Sequence, residues 1–404
     1  MHLSWGSTGP NDGVPGRRVA VTGLGVVAPC GQGTVAFWEG LCRPAGPGIQ
    51  RRVEDFDPSQ WFGPKEMRRV DRFTQLAVAA ADGALADAGV LDADPDRAGV
   101  ILGTGVGGLE SLESQVQINL ERGSRRVSPF VVPMMMANAA AATISIHWGL
   151  RGPCETVVTA CAAGTHAIGY GARLVSSGRC EVVVSGGSEA AATPVSLAGF
   201  SNMTALSVSG VSRPFDLERD GFVMGEAAGV LVLEDLERAR ARGAHIYAEV
   251  TGAASTADAY HITAPAEGGA GAAACMELAL ADAGLPPDQV RHVNAHGTST
   301  PLNDVAEAVA IHKVLGSPGP PVTSIKGVVG HALGAAGAIE AVSAVLSIER
   351  RLIPPTAGYL TPDPEVSLDV VAGEPRPWEP GPVLSNSFGF GGENGCLVIE
   401  PVGD

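Results

Sequence analysis

The sequence predicts a duplicated α/β protein in which two mixed, mainly parallel sheets, each covered by helices, share a helix layer in an αβαβα stack. Three observations predict it. One order of motifs occurs twice, each copy opens on a β-branched strand ending in Thr-Gly, and each carries the hexapeptide ALADAG, at residues 84–89 and 279–284. A strand–helix order repeated within one chain implies two like units packed around common layers.

In chain order, RRVAVTGLG (residues 17–25) and IYAEVTGAA (246–254) read as the opening strands of the two copies. The helix after each ends in ALADAG, where Gly89 or Gly284 supplies the usual terminator. Apolar strands follow, AGVILGTG (98–105) and QVRHVNAHG (289–297). The next pair is TVVTACAAGTHAIGYGARLVSSG and PVTSIKGVVGHALGAAGAIEAVSAVL, each a short strand breaking into a small-residue helix. The last pair is EVVVSGGSEA (181–190) and PVLSNSFGFGGENGCLVIE (382–400). Such alternation implies parallel crossover units with helices on the sheet faces. The halves are assigned as residues 17–245 and 246–404, with residues 1–16 a loose leader that lacks the apolar stretch of a secretory signal. An insertion at about residues 104–150 of the first half is expected to cap the site or to form a subunit interface.

Composition narrows the function classes. With 45% hydrophobic residues over 404 positions, the chain suits a well-buried globular enzyme. A net charge of −16 argues against a nucleic-acid binder, since no Lys/Arg cluster approaches the basic face one would need, and an acidic partner must find a local basic patch. The apolar run from Val131 to Ile146, interrupted by Asn138, is too short to cross a bilayer and is expected to be a buried core segment. A soluble, cytoplasmic protein is therefore expected. The cysteines at 30, 42, 154, 161, 180, 275 and 396 form no CxxC pair, so neither a metal site nor a disulfide framework is expected. Lys65, Lys313 and Lys326 are the only lysines, which makes each of them informative.

Cys161 is the first chemical candidate. It follows a strand, begins a helix whose N–H groups and dipole favour a thiolate, and has Ala162, Ala163 and Gly164 beside it to leave room for a substrate. A small buried hydrophobe would fit the same stretch equally well. Its candidate partners are His296 in VNAHGTSTPLND and His331 in SIKGVVGHALGAAGAIE, both beside glycine just past an apolar strand, where open α/β sheets collect ligands. His147, His166, His245, His292 and His312 read as ordinary hydrogen-bonded residues, and His166 points away along its helix. The duplication sets Cys161 at the start of one helix and Lys326 and His331 around the start of its counterpart, so pseudo-twofold packing would unite them. In NSFGFGGENG, four glycines around Phe388 and Phe390 turn the backbone so that N–H groups face a ligand.

Together TACAAG, NAHGTSTPLND, SIKGVVGHALGAAGAIE and NSFGFGGENG resemble the beta-ketoacyl-acyl-carrier-protein synthases, of the elongating Cys-His-His kind on the thiolase-like fold. The resemblance runs from about Arg17 to Glu400 and includes GTGVGGLES, FDLERDGFVMGEAAGVLVLE and DAYHITAP. It implies that Cys161 takes an acyl chain from a carrier-protein phosphopantetheine thioester. His296 and His331 would then promote decarboxylation of a malonyl-carrier thioester for a Claisen condensation, without a cofactor or metal. Backbone N–H groups of Cys161 and Phe390 would form the oxyanion hole, with Phe390 also a gate. Lys326 and Glu340 would support the histidines, and Thr298 and Thr300 would hold the pantetheine arm. Val106 and Phe200 would line the acyl pocket, the small valine leaving room for a long or rigid chain. Lys65, Arg68, Arg69, Arg125 and Arg126 would dock the acidic acyl carrier protein. The implied assembly is a homodimer or a heterodimer with a chain-length-factor-like subunit.

The chain departs from the family pattern at Ala162 and Ala163 in CAAG, at Thr204 where relatives often carry a basic residue, and at Glu393. The expected function is the catalytic ketosynthase of a dissociated, type II polyketide or fatty-acid system; the alternative is a housekeeping homodimeric synthase II of fatty-acid synthesis. A thiolase would use a second cysteine, and Cys396 sits in an apolar strand instead. A non-catalytic chain-length factor would lack Cys161.

Overall fold

The protein is described by a computed structural model over residues 16–44 and 46–403; the leader at residues 1–15 lies outside the described part. The elements that position the site are β1 (Val19–Ala28), α1 (Arg72–Ala88), β2 (Ala98–Gly103), α2 (Leu109–Arg122), α3 (Ala139–Trp148), β3 (Cys154–Val157), α4 (Ala163–Ser176), β4 (Val182–Glu189) and β5 (Ala227–Asp235) in the first half. The second half supplies β6 (Ala248–Ala257), α5 (Ala270–Ala283), β7 (His292–Asn294), α6 (Pro301–Leu315), β8 (Val322–Thr323), α7 (Ala336–Arg350), β9 (Val383–Gly389) and β10 (Glu393–Glu400).

The duplication is visible in the strand order. The first half runs β1-β5-β4-β2-β3 and the second β6-β10-β9-β7-β8, so each strand has its counterpart in the same place. The two sets meet edge to edge where Ala20 and Val21 of β1 pair with Glu249 and Ala248 of β6, which makes one continuous 11-stranded path with the short strand Gly31–Gln32. Pairing is mixed but not mainly parallel. Within this sheet, among the described residues, only β2 with β3 and β4, and β7 with β8 and β9, are parallel. The β9–β10 pair is a hairpin closed by the Phe390–Gly392 turn, and a hairpin is necessarily antiparallel.

Three apolar clusters give the layers. One joins β1, β5, β6 and β10 to α4 and α7, which lie between the two halves of the sheet. Thirteen consecutive residues of α7, from Ala336 to Ile348, are buried, as a helix in a central layer requires. α1 and α3 cover the outer face of the first half, and α5 and α6 cover that of the second.

The insertion corrects one expectation. Val131 to Ile146 is not a core segment: it breaks into a short helix, Val131–Met135, and α3, and lays only Ala140, Ala141 and Ile144 on the core. Val132, Met136 and Ile146 stay exposed, and α3 lies against β3, an edge strand with Cys154 and Glu155 exposed. Helical periodicity permits one buried stripe, and the apolar residues here encircle both short helices. His292 differs too: it is buried against the Trp378 ring, 5.6 Å between centroids, and neither ring nitrogen has a hydrogen-bond partner among the described residues.

α1 lies directly on β1 because Gly25 presents no side chain there. An alanine Cβ at Gly25 would stand 2.6 Å from the Ala84 nitrogen and overlap the Ala80 carbonyl. Gly25→Ala is therefore expected to destabilise the fold by about 1–3 kcal/mol, measured by urea denaturation, because α1 must move off the sheet.

Candidate active site

Cys161 stands where β3 turns into α4. The chain reverses through Ala160, at φ 46° in the left-handed region that alanine seldom occupies, and a single 3-10 turn (Ala160–Ala162) carries it into the helix. The turn brings Cys161 Sγ to 3.0 Å from His331 Nε2. The buried Ala162 and Ala163 pack at the helix start, where Gly103 of β2 leaves no space for a Cβ against the Ala163 backbone. Gly103 thus answers to the closeness of the helix start.

His296 follows β7, and its backbone is gripped by Glu307 of α6. The His296 N–H donates to Glu307 Oε1 at 2.8 Å and the Gly297 N–H to Oε2 at 2.7 Å. Lys326, behind β8, donates from Nζ to the His296 carbonyl at 2.6 Å and to Glu340 Oε1 of α7, and Nζ lies 3.4 Å from His296 Nδ1. A donor facing Nδ1 leaves the ring proton on Nε2. His331 is held by its backbone, whose N–H donates to the Val223 carbonyl at 2.7 Å and whose carbonyl accepts from Gly225 at 2.9 Å. The two imidazoles stand edge to face with centroids 5.3 Å apart.

Burial sets the protonation of these groups. It holds both imidazoles well below the usual histidine range, with Lys326 pushing the same way. Burial also raises the Cys161 thiol to about 12, although Lys326 and the Phe390 N–H pull it down. The thiolate expected from the helix start is therefore overturned: the resting group is a thiol, because desolvation outweighs the dipole. Glu340 is raised by burial and pulled back by Lys326.

Cys161, His296 and His331 face a chamber of about 370 Å³ lined also by Thr298, Thr300, Phe200, Leu333 and Phe390. The Thr298 and Thr300 hydroxyls are 2.8 Å apart. The Phe390 ring lies 6.3 Å from that of Phe200. Gly389 lets the loop pass Cys161, for a Cβ there would stand 3.1 Å from the Cys161 nitrogen. Lys326 and Glu340 sit behind the histidines rather than in the chamber. Val106 is not among the lining residues and is 48% exposed, because the chain turns outward at Gly105. Lys65, Arg68, Arg69, Arg125 and Arg126 are exposed, and Arg69 lies over the Phe130 ring at 4.3 Å, which ties the two basic segments together. Thr204 is exposed at the chamber lining; Glu393 opens β10 opposite Ala257, outside it.

Other residues of the site escaped sequence reasoning. Glu307, Asp304, Asn386 and Glu189 are buried and bind mainly backbone N–H groups or one another. Their only signal was helical: Asp304 and Glu307 share a face at a spacing of three. His166 does point away from the chamber, yet its ring bonds Thr159 at 2.8 Å and the Asn394 carbonyl at 3.0 Å, joining the cysteine turn to the glycine-rich hairpin. Among the described residues no cluster of His, Cys, Asp and Glu is placed to hold a metal, and no helix is long and apolar enough to cross a membrane.

This arrangement agrees with known proteins. The family model for the beta-ketoacyl synthase N-terminal domain matches residues 43–239, and that for the C-terminal domain matches residues 247–360. The chain belongs to the beta-ketoacyl synthase family. It is 46% identical over 412 residues to the 3-oxoacyl-[acyl-carrier-protein] synthase 2 of Synechocystis sp., covering 95% of this chain and 98% of that one. The enzyme of the same name from Rhizobium meliloti is 43% identical over 418 residues, covering 95% and 99%. Among solved structures, the ishigamide ketosynthase/chain length factor superposes with a TM-score of 0.91 at 35% identity, covering 96% of this chain and all of that one. A type II PKS ketosynthase bound to the hexaketide, in complex with its acyl-carrier protein, gives 0.88 at 34% identity with the same coverage. This synthase therefore has the thiolase-like fold of a condensing acyltransferase.

A thiol raised to about 12 is ionised only in alkali. Alkylation of Cys161 by iodoacetamide, read by mass spectrometry, is expected to accelerate about tenfold per pH unit from about pH 7 to 9, the slope of a single proton loss below its pKa. A plateau below pH 8 would contradict the neutral thiol.

Proposed function

We propose that this synthase takes an acyl chain from acyl carrier protein onto Cys161 and extends it with malonyl-acyl-carrier protein to a 3-ketoacyl product. The observation that carries the reading is one thiol and two neutral imidazoles facing a single chamber, with Cys161 Sγ 3.0 Å from His331 Nε2.

In the first step the Cys161 sulfur bonds the thioester carbonyl carbon and the carbon–sulfur bond to the pantetheine breaks. The thiol proton passes to the departing pantetheine sulfur, with His331 Nε2 the nearest ring nitrogen. The backbone N–H groups of Cys161 and Phe390 face the developing oxyanion. In the second step the malonyl thioester loses carbon dioxide, and its electrons become an enolate whose oxygen accepts from the Nε2–H groups of His296 and His331. Neutral donors suit this, because an imidazolium would hold the carboxylate about to leave. The enolate carbon bonds the acyl carbonyl, and the Cys161 sulfur departs and takes from solvent the one proton that the decarboxylative condensation consumes. Thr298 and Thr300 offer hydroxyls to the pantetheine arm, and Phe390 gates the chain's entry beside Phe200.

The exposed cluster of Lys65, Arg68, Arg69, Arg125 and Arg126 supplies the local basic patch that an acidic carrier protein requires on a chain of net charge −16. Edge strand β3, with the exposed Ile146 on the adjoining α3, supplies an unpaired edge for a second subunit. That subunit is another copy of this chain or a chain-length-factor-like partner, in a polyketide or fatty-acid system, and native mass of the co-expressed complex distinguishes the two.

Cys161→Ala is expected to abolish acyl transfer to the protein from acyl-carrier protein, followed by intact mass. His296→Ala and His331→Ala should still acylate but release carbon dioxide from malonyl-carrier protein about 10²–10³ times more slowly, the scale of losing one oxyanion donor. An acyl adduct on the alanine variant, or undiminished decarboxylation, would refute these roles.

A further inference from the structure

Glu189 ends β4 with a fully buried side chain that no step of the condensation uses. Among the described residues it forms no ion pair, and a buried carboxylate without a countercharge is costly unless hydrogen bonds replace its water. Two separate turns provide them. The Thr104 hydroxyl donates to Oε1 at 3.2 Å and the Gly105 N–H to Oε2 at 2.5 Å, with the Val106 N–H also directed at the carboxylate. From the other half of the molecule, the Gly334 N–H donates to Oε2 at 3.1 Å.

The second turn carries the wall of the chamber. Leu333 is held at φ 42°, left-handed and costly for leucine, and packs against Cys161, Phe222, Met224 and Ala191. Leu109 and Phe200 lean on the same cluster. Gly334 has no room for a side chain, because a Cβ would meet the Thr104 and Gly105 backbone. One carboxylate therefore fastens the turn after His331 to the turn before Leu109. Burial raises this carboxyl to about 7 while its donors draw it down, so the fold retains an expensive group at this point.

We propose that Glu189 is a specificity-setting positioning residue, which fixes the apolar wall beside Cys161 by tying the Leu333–Gly334 turn to the Thr104–Val106 turn and so sets which acyl chain lengths are accepted. The proposal rests on the acyl-cysteine reading above. A wall held from both sides has one shape; released, it yields to longer chains or blocks them.

Glu189→Gln keeps the side chain's size and removes one acceptor oxygen. Thr104→Val leaves the carboxylate intact and removes the hydroxyl that donates to Oε1 and accepts from the Gly107 N–H. Each is compared with wild type for loading of Cys161 from a series of saturated acyl-carrier thioesters, acetyl upward, by intact mass. Expected are acetyl loading within about twofold of wild type and a change of about tenfold in the ratio of long-chain to acetyl loading, the effect of a misfit of one methylene. That ratio is independent of the fraction of folded protein, so a merely structural role would leave it unmoved. If Glu189→Gln does not fold, Thr104→Val decides by the same ratio. An unchanged ratio in the folded variant, beside normal wild-type loading, overturns this inference alone; a wild type that accepts no acyl group overturns the acyl-cysteine reading and this inference with it.

Discussion

Lys326 holds the site together from behind. It is 1% exposed, and its nitrogen reaches Glu340, the His296 carbonyl and the edge of the His296 ring. A cation removed from water to this degree survives only beside a matched anion and further acceptors. The match comes from α7, the helix buried on every side, so the orientation of His296 is referred to the central layer of the molecule. Glu307 grips the same histidine from α6 by two backbone N–H groups. His296 is thereby fixed by elements on both faces of the second half's sheet, and its Nδ1 faces a donor, which directs the Nε2 proton into the chamber.

The burial of these groups explains why they are uncharged. Desolvation outweighs every other influence on Cys161, His296 and His331. Charge is stored one layer back, in Lys326 and Glu340, and the chamber keeps a thiol and two imidazoles whose hydrogen bonds strengthen only when an oxyanion forms. That is electrostatic preorganisation, in which donors already point at the place where charge will develop. The duplicated topology supplies the junction itself, since equivalent strand ends of the two halves converge on it from opposite sides.

Much of this was legible in the sequence. ALADAG, repeated at the ends of α1 and α5, exposed the duplication, and duplication predicted that Cys161 and His331 would meet. Lys326 stood out by the rarity of lysine. What stayed hidden has a common cause: Glu189 and Glu307 bind backbone N–H groups, which every residue owns, so no side-chain pattern announces them. The helix-start thiolate was misjudged because a dipole can be inferred from local sequence, whereas burial depends on what the other half places above it. The exposure of Val106 was hidden for a similar reason, since the turn that carries it is bonded to Glu189 through the Gly105 N–H. The run from Val131 to Ile146 showed apolarity without showing that it belongs to a surface.

The central claim is that His296 and His331 are neutral donors throughout the working pH range. Nitrogen-15 NMR of the protein labelled only at histidine tests it most directly, with His296→Ala and His331→Ala used to assign the two resonances. Both imidazoles are expected to keep the shifts of the neutral ring as pH is lowered from about 8 to 5, through the ordinary histidine value of about 6.5. A resonance of either residue that titrates to the imidazolium shift near pH 6.5 would contradict the account.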